Sequence, residues 1–180
     1  MIIHEHYLSI ANKLISPNFD QRPDPNDISL VVIHCISLPP EQFGGDYINQ
    51  LFTNRLNPLD HPSFAEIYQL KVSAHLLICR DGSINQYVPF HQRAWHAGVS
   101  EYQGRQRCND FSIGIELEGS VKQSYTEFQY QQLTAVIRIL LNHYPGLSRQ
   151  RIVAHSDIAP GRKTDPGPLF DWQYLYSLLA

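Results

Sequence analysis

The sequence predicts an α/β fold: a single domain over residues 1–180 with a central, mostly mixed β-sheet flanked by helices. Three observations carry that prediction. Residues 29–34 (SLVVIH) are a continuous apolar run rich in β-branched side chains, the pattern of a strand covered on both faces. In residues 111–119 (FSIGIELEG), Ile113, Ile115 and Leu117 alternate with Gly114, Glu116 and Glu118, so both carboxylates share one face of a strand. Between Thr126 and His143, Leu133, Val136, Ile137, Leu140 and Leu141 recur at the three-and-four spacing of a helix with one buried stripe.

The remaining elements follow in chain order. The strand at 29–34 ends on His34. Short helices are expected over 46–53 and 62–69. SAHLLICR, Asp81-Gly82 and SINQYVPF then read as a hairpin, because Asp-Gly supplies the backbone a tight turn needs. The long helix has a marked start: Thr126 can cap it with Gln129 answering three residues on, and Tyr125 and Tyr130 occupy hydrophobic-staple positions. Pro145-Gly146 ends it. RIVAH is a last strand closing on His155, and Asp171 suits the cap of a helix running to the C-terminus. Strands interleaved with helices put ligands outside strand ends, where His34 and His155 both fall.

Composition narrows the function classes. A formal charge of -3 and no run of Lys or Arg leave nothing to hold a phosphate backbone, so nucleic acid is not an expected partner. No stretch approaches the roughly 20 apolar residues needed to cross a bilayer. His4, Glu5 and His6 interrupt what would have to be the core of a secretory signal. Cys35, Cys79 and Cys108 are odd in number and widely spaced, with no disulfide framework. The expected setting is a reducing cytoplasm, and the expected state a monomer.

The stretch VAHSDIAPGRKTDPGPLF raises the functional question. Prolines and glycines at this density fix a backbone course without a hydrogen-bonded ladder, and between them sit His155, Asp157, Lys163 and Asp165. With His34, two strand-end imidazoles and a loop carboxylate make a candidate zinc set, three N/O ligands with a fourth position open. Pattern alone leaves open the plainer reading of hydrogen-bonded boundary histidines, since the chain has nine.

The stretches HCISLPPEQFGGDYI, VSAHLLICRDGSINQYVPF, RAWHAGVSEYQGRQRCNDFSIGIELEG and HSDIAPGRKTDPGPLFDW, in order along nearly the whole chain, resemble the AmpD-type 1,6-anhydro-N-acetylmuramoyl-L-alanine amidases. The resemblance implies one zinc per chain held by His34, His155 and Asp165, with Glu116 as proton shuttle and Lys163 as stabiliser of the negative oxygen. It implies an anhydro-muropeptide substrate, cut between the lactyl group of the sugar and L-alanine during cell-wall recycling. Substrate-binding positions fall on Lys71, Arg107, Trp95, His96 and Cys35. Lys71 stands where the family commonly has arginine and Cys35 where it commonly has asparagine, which bears on substrate preference more than on activity.

Competing readings remain at the residue level. His96 and Cys35 could ligate the metal, and Glu118 could replace Glu116 or be a solvated strand-end charge. His75 reads as a core histidine, Asp157 as a turn cap and Arg105 as solvent-facing. At the level of function, the rivals are a peptidoglycan-binding module without catalysis and an amidase acting on intact wall. A zinc peptidase is disfavoured because H-E-x-x-H is absent.

Overall fold

A computed structural model describes all 180 residues. Its centre is a six-stranded sheet of β1 (Asn12–Lys13), β2 (Leu30–Ile36), β3 (Leu76–Ile78), β4 (Ile84–Gln86), β5 (Ser112–Glu118) and β6 (Ile152–Ala154). The spatial order is β6-β2-β5-β3-β4-β1, and the sheet is mixed: only the β3–β4 pairing is antiparallel. β3 and β4 form the expected hairpin, with Gly82 in its turn at φ 85°.

Alternation along the strands sorts the side chains between the two faces. Val31 and Ile33 of β2, Leu76 and Ile78 of β3, and Ile113, Ile115 and Leu117 of β5 join one core cluster. The helix α2 (Glu127–His143) lays Leu133, Val136, Ile137 and Leu140 onto it. α2 begins with a complete capping box between Thr126 and Gln129, a device whose loss typically costs about 1 kcal/mol. Tyr125 and Tyr130 meet edge-on, 6.4 Å between ring centroids, as a staple requires. On the opposite face, Leu77 packs with Leu51 and Phe52 of the helix α1 (Tyr47–Phe52), and Leu30 and Val32 pack with Phe111 and Ile158.

Three expectations need correction. β2 does not stop at His34 but runs to Ile36, paired along its whole length with β5. His155 does not close β6; it opens the one-turn helix α3 (His155–Ile158), where Asp157 accepts a hydrogen bond from the Ala154 N–H (2.8 Å). Residues 62–69 form only a 3-10 turn, Pro62–Phe64, because the His61 side chain caps it locally and no apolar stripe carries it further. The C-terminal helix α4 (Trp172–Leu179) is capped by Asp171 as expected. No helix is long and apolar enough to cross a membrane.

One buried cation ties the sheet to its surroundings. Arg22, 5% exposed, donates from Nε to the Phe90 carbonyl (3.2 Å), from Nη1 to those of Asn109 and Asp110 (3.1 and 3.2 Å), and from Nη2 to that of Ser112 (2.7 Å). Its burial lowers its pKa to about 10, which still leaves it charged at neutral pH. Arg22→Met removes every one of these donors from carbonyls that water reaches poorly. We expect a loss of about 3 kcal/mol or more, read as a lower denaturation midpoint at unchanged slope.

Candidate active site

Parallel pairing of β2 with β5 sets His34 directly beside Glu116. Both lie on the sheet face turned away from α2, near the C-terminal ends of their strands, where open α/β sheets form sites. β6 pairs with the other edge of β2, so His155, the residue after it, arrives at the same end. The loop that follows returns Asp165 to them. It is held by the Ser156 N–H donating to the Asp165 carbonyl (3.1 Å) and by Tyr125 Oη donating to the Pro166 carbonyl (2.7 Å). The Arg162 guanidinium also donates to the carbonyls of Ala97 and Val99 (2.6 and 2.7 Å).

Three ligand-type atoms converge there. His34 Nδ1 lies 2.9 Å from His155 Nδ1 and 3.2 Å from Asp165 Oδ2, and His155 Nδ1 lies 3.0 Å from the same oxygen. Burial lowers the His34 pKa to about 4 despite the nearby carboxylate, so the ring is neutral. Burial alone would raise the Asp165 carboxyl, but the two imidazoles beside it outweigh that effect and hold Asp165 ionised, well below the usual range. The pair is thus a neutral imidazole facing an anion. His155 Nε2 faces the Ala97 carbonyl (3.1 Å), which can only accept, so that nitrogen carries a proton; in the singly protonated form that a metal site requires, the Nδ1 lone pair faces the cluster. A lone pair and an anionic oxygen aimed at one point require a proton on His34 Nδ1 or a cation between them. Two nitrogens and one oxygen, on largely buried side chains, are a donor set that fits zinc.

Glu116 is 9% exposed, and its Oε2 is buried without a hydrogen-bond partner. Burial, reinforced by the Asp165 charge, raises its pKa well above the ordinary carboxylate value. Glu118, two residues on, accepts from the backbone N–H groups of Gly44 and Arg80. It is a buried clamp on two loops rather than a solvated strand-end charge or a free carboxylate.

His34, Glu116, His155, Lys163 and Asp165 all line one cavity of about 260 Å³, with Cys35, Trp95 and His96 in its wall. Leu51, Phe52, Leu70 and Val72 make its apolar side. The Cys35 thiol is pushed up to about 12 by burial, and Cys35 packs against the core cluster under α2 rather than joining the three converging ligand atoms. His96 meets His34 at Nε2, the nitrogen that faces away from the cluster. It spends its two ring nitrogens on His34 and Ser112. Lys71 is exposed at the rim between the lining residues Leu70 and Val72. Arg107 lies apart, in a separate cavity of about 500 Å³ that Arg162 also lines. His75 is fully buried and bonded, Nδ1 accepting from the Gly114 N–H (3.0 Å). Arg105 is half-exposed, ion-paired to Asp27 and stacked over Phe111.

A family model described as N-acetylmuramoyl-L-alanine amidase matches residues 24–168, which hold every residue of the cavity. The chain belongs to that amidase family. The enzyme is 58% identical over 172 residues to the 1,6-anhydro-N-acetylmuramyl-L-alanine amidase AmpD of Escherichia coli (strain K12), covering 96% of this chain and 93% of the relative. It superposes on a selenomethionine AmpD crystal structure with a TM-score of 0.97, at 56% identity and full coverage of both chains. With the E. coli amidase AmiD, solved in complex with the substrate anhydro-N-acetylmuramic acid-L-Ala-D-gamma-Glu-L-Lys, the TM-score is 0.62 at 33% identity, covering 84% of this chain and 57% of that one. What sequence reasoning missed in the amidase site is its outer support. Ser112, Ala97 and Arg162 sit in no recognisable spacing, and their partners lie more than ten residues away along the chain.

Proposed function

We propose that this amidase is zinc-dependent and hydrolyses the amide between 1,6-anhydro-N-acetylmuramic acid and the L-alanine of the stem peptide in soluble muropeptides. The observation that carries the proposal is the convergence of His34 Nδ1, His155 Nδ1 and Asp165 Oδ2 beside a buried, unpartnered Glu116. Identity to AmpD over nearly the whole chain supports the substrate. What a zinc ion supplies in such a place is Lewis acidity toward the scissile carbonyl and the attacking water.

The chain's own residues do the rest. Glu116, with its raised pKa, takes the proton of the attacking water and returns it to the departing amine nitrogen of L-alanine. Lys163 Nζ faces the carbonyl oxygen as it becomes negative in the tetrahedral intermediate, where a fixed cation contributes most. Trp95, Leu70 and Val72 exclude water from one side of the cavity and pack the apolar parts of the substrate. Lys71 at the rim and Arg107 in the separate cavity attract the stem-peptide carboxylates, while Cys35 and His96 shape the wall near the ligands. One chain supplies the whole constellation, which supports action as a monomer, and a soluble muropeptide substrate is consistent with the bacterial cytoplasm as the setting.

The zinc-loaded protein, given anhydro-muropeptide and intact sacculi in parallel, is expected to release peptide rapidly from the first and little from the second. Equal or faster release from sacculi would move the activity to intact wall. Binding of muropeptide without release from either would favour a module that only recognises its ligand.

A further inference from the structure

A hydrogen-bonded chain runs from the first residue of β5 to the ligand cluster. Ser112 Oγ lies 3.1 Å from His96 Nε2, and His96 Nδ1 lies 2.9 Å from His34 Nε2. A neutral imidazole carries one proton, so each ring donates at one nitrogen and accepts at the other. Only two arrangements satisfy both links. In the first, the serine hydroxyl donates and every proton points toward the cluster, ending with one on His34 Nδ1. In the second every proton points away: His34 Nε2–H donates to His96 Nδ1, and His96 Nε2–H donates to Ser112 Oγ. Both hold the same number of protons. Only the second leaves His34 Nδ1 a bare lone pair facing His155 and Asp165.

We propose that His96 is a positioning residue that fixes His34 in its metal-binding tautomer by accepting the hydrogen bond of the buried His34 Nε2–H. The inference rests on the zinc reading above and deepens it. His34 is 1% exposed, so without that acceptor its Nε2–H would be left unpaired whenever Nδ1 served as a ligand. The local architecture favours this role over substrate contact. A Cβ on Gly114 would stand 2.4 Å from His96 Cγ, so β5 has a bare Cα where the imidazole rests. Asn109 Oδ1 accepts from the backbone N–H groups of His96 and Ala97 (3.1 and 2.8 Å) and pins the segment. That segment serves both ligating rings at once: His96 Nδ1 accepts the hydrogen bond of His34 Nε2–H, and the Ala97 carbonyl accepts that of His155 Nε2–H.

The test compares the parent, His96→Leu and His96→Asn for zinc affinity by competition with a chromophoric chelator, with circular dichroism and thermal melts to verify folding. His96→Leu is expected to bind zinc ~10–100-fold more weakly, the usual worth of an outer partner to a ligating histidine. His96→Asn, whose amide oxygen can stand near the place of Nδ1, is expected to recover most of that loss, which packing alone would not predict. Long-range 15N–1H NMR of the zinc-loaded parent should find His96 protonated at Nε2 and bare at Nδ1, and this arm holds even if His96→Leu fails to fold. Parental affinity in His96→Leu, an Asn variant as weak as Leu, or a proton on His96 Nδ1 in the loaded protein would each overturn the role. A parent that takes up no zinc contradicts the zinc reading itself; a parent that binds beside a His96→Leu that binds equally contradicts only the role of His96.

Discussion

Glu116→Gln is expected to lower kcat by about 10²–10⁴-fold, the usual contribution of a positioned acid–base group, while zinc content stays at the parental level. The substitution keeps the shape of the side chain and removes only its ability to take and return a proton. Nothing else stands ready to replace it. Glu118 has both oxygens committed to backbone N–H groups, and Asp165 is tied to the two histidines. The same variant should melt at a higher temperature than the parent. An unpartnered, buried carboxylate costs stability whenever it is ionised, and a neutral amide of the same shape lightens that cost. Loss of turnover with a gain in melting temperature is the signature of a group kept for chemistry. Steady-state kinetics on anhydro-muropeptide and a thermal melt check both halves, and near-parental turnover with zinc in place would move the proton transfer to another residue.

Asp165→Ala is expected to abolish stable zinc binding. Asp165 contributes the one carboxylate in the cluster, and its Oδ2 is the point that both imidazoles approach. Two neutral rings alone offer neither the third ligand nor the compensating charge, so the loss should exceed the ~10–100-fold that an outer partner is worth. Elemental analysis after dialysis and chelator competition give the measurement. The variant should fold, because the Asp165 carbonyl that accepts from Ser156 N–H is backbone and survives the change. Retention of one tightly held zinc would show that the ion sits elsewhere.

Much of this was legible in the sequence where local pattern and tertiary role coincide. β2 and β5 declared themselves by apolar continuity and by alternation, and α2 by its stripe and its capping box. The convergence of His34, His155 and Asp165 also agrees with the resemblance. Two-residue strands such as Asn12–Lys13 carry no periodicity, because tertiary partners rather than their own pattern hold them in place. Glu118 looked like a strand-end charge because its partners, Gly44 and Arg80, are far from it along the chain. The contact of His96 with His34 was hidden for the same reason. A ring that serves another ring is invisible until the sheet brings β2 and β5 together, and only Gly114, a glycine inside a strand, left a mark of the close approach.

The most direct test of the central claim is a crystal structure of the zinc-loaded protein with anomalous data at the zinc edge. The account predicts one peak per chain, bonded to His34 Nδ1, His155 Nδ1 and Asp165 Oδ2 and open toward the cavity that holds Glu116 and Lys163. A peak elsewhere, or an ion closed off by a fourth protein ligand, would contradict it.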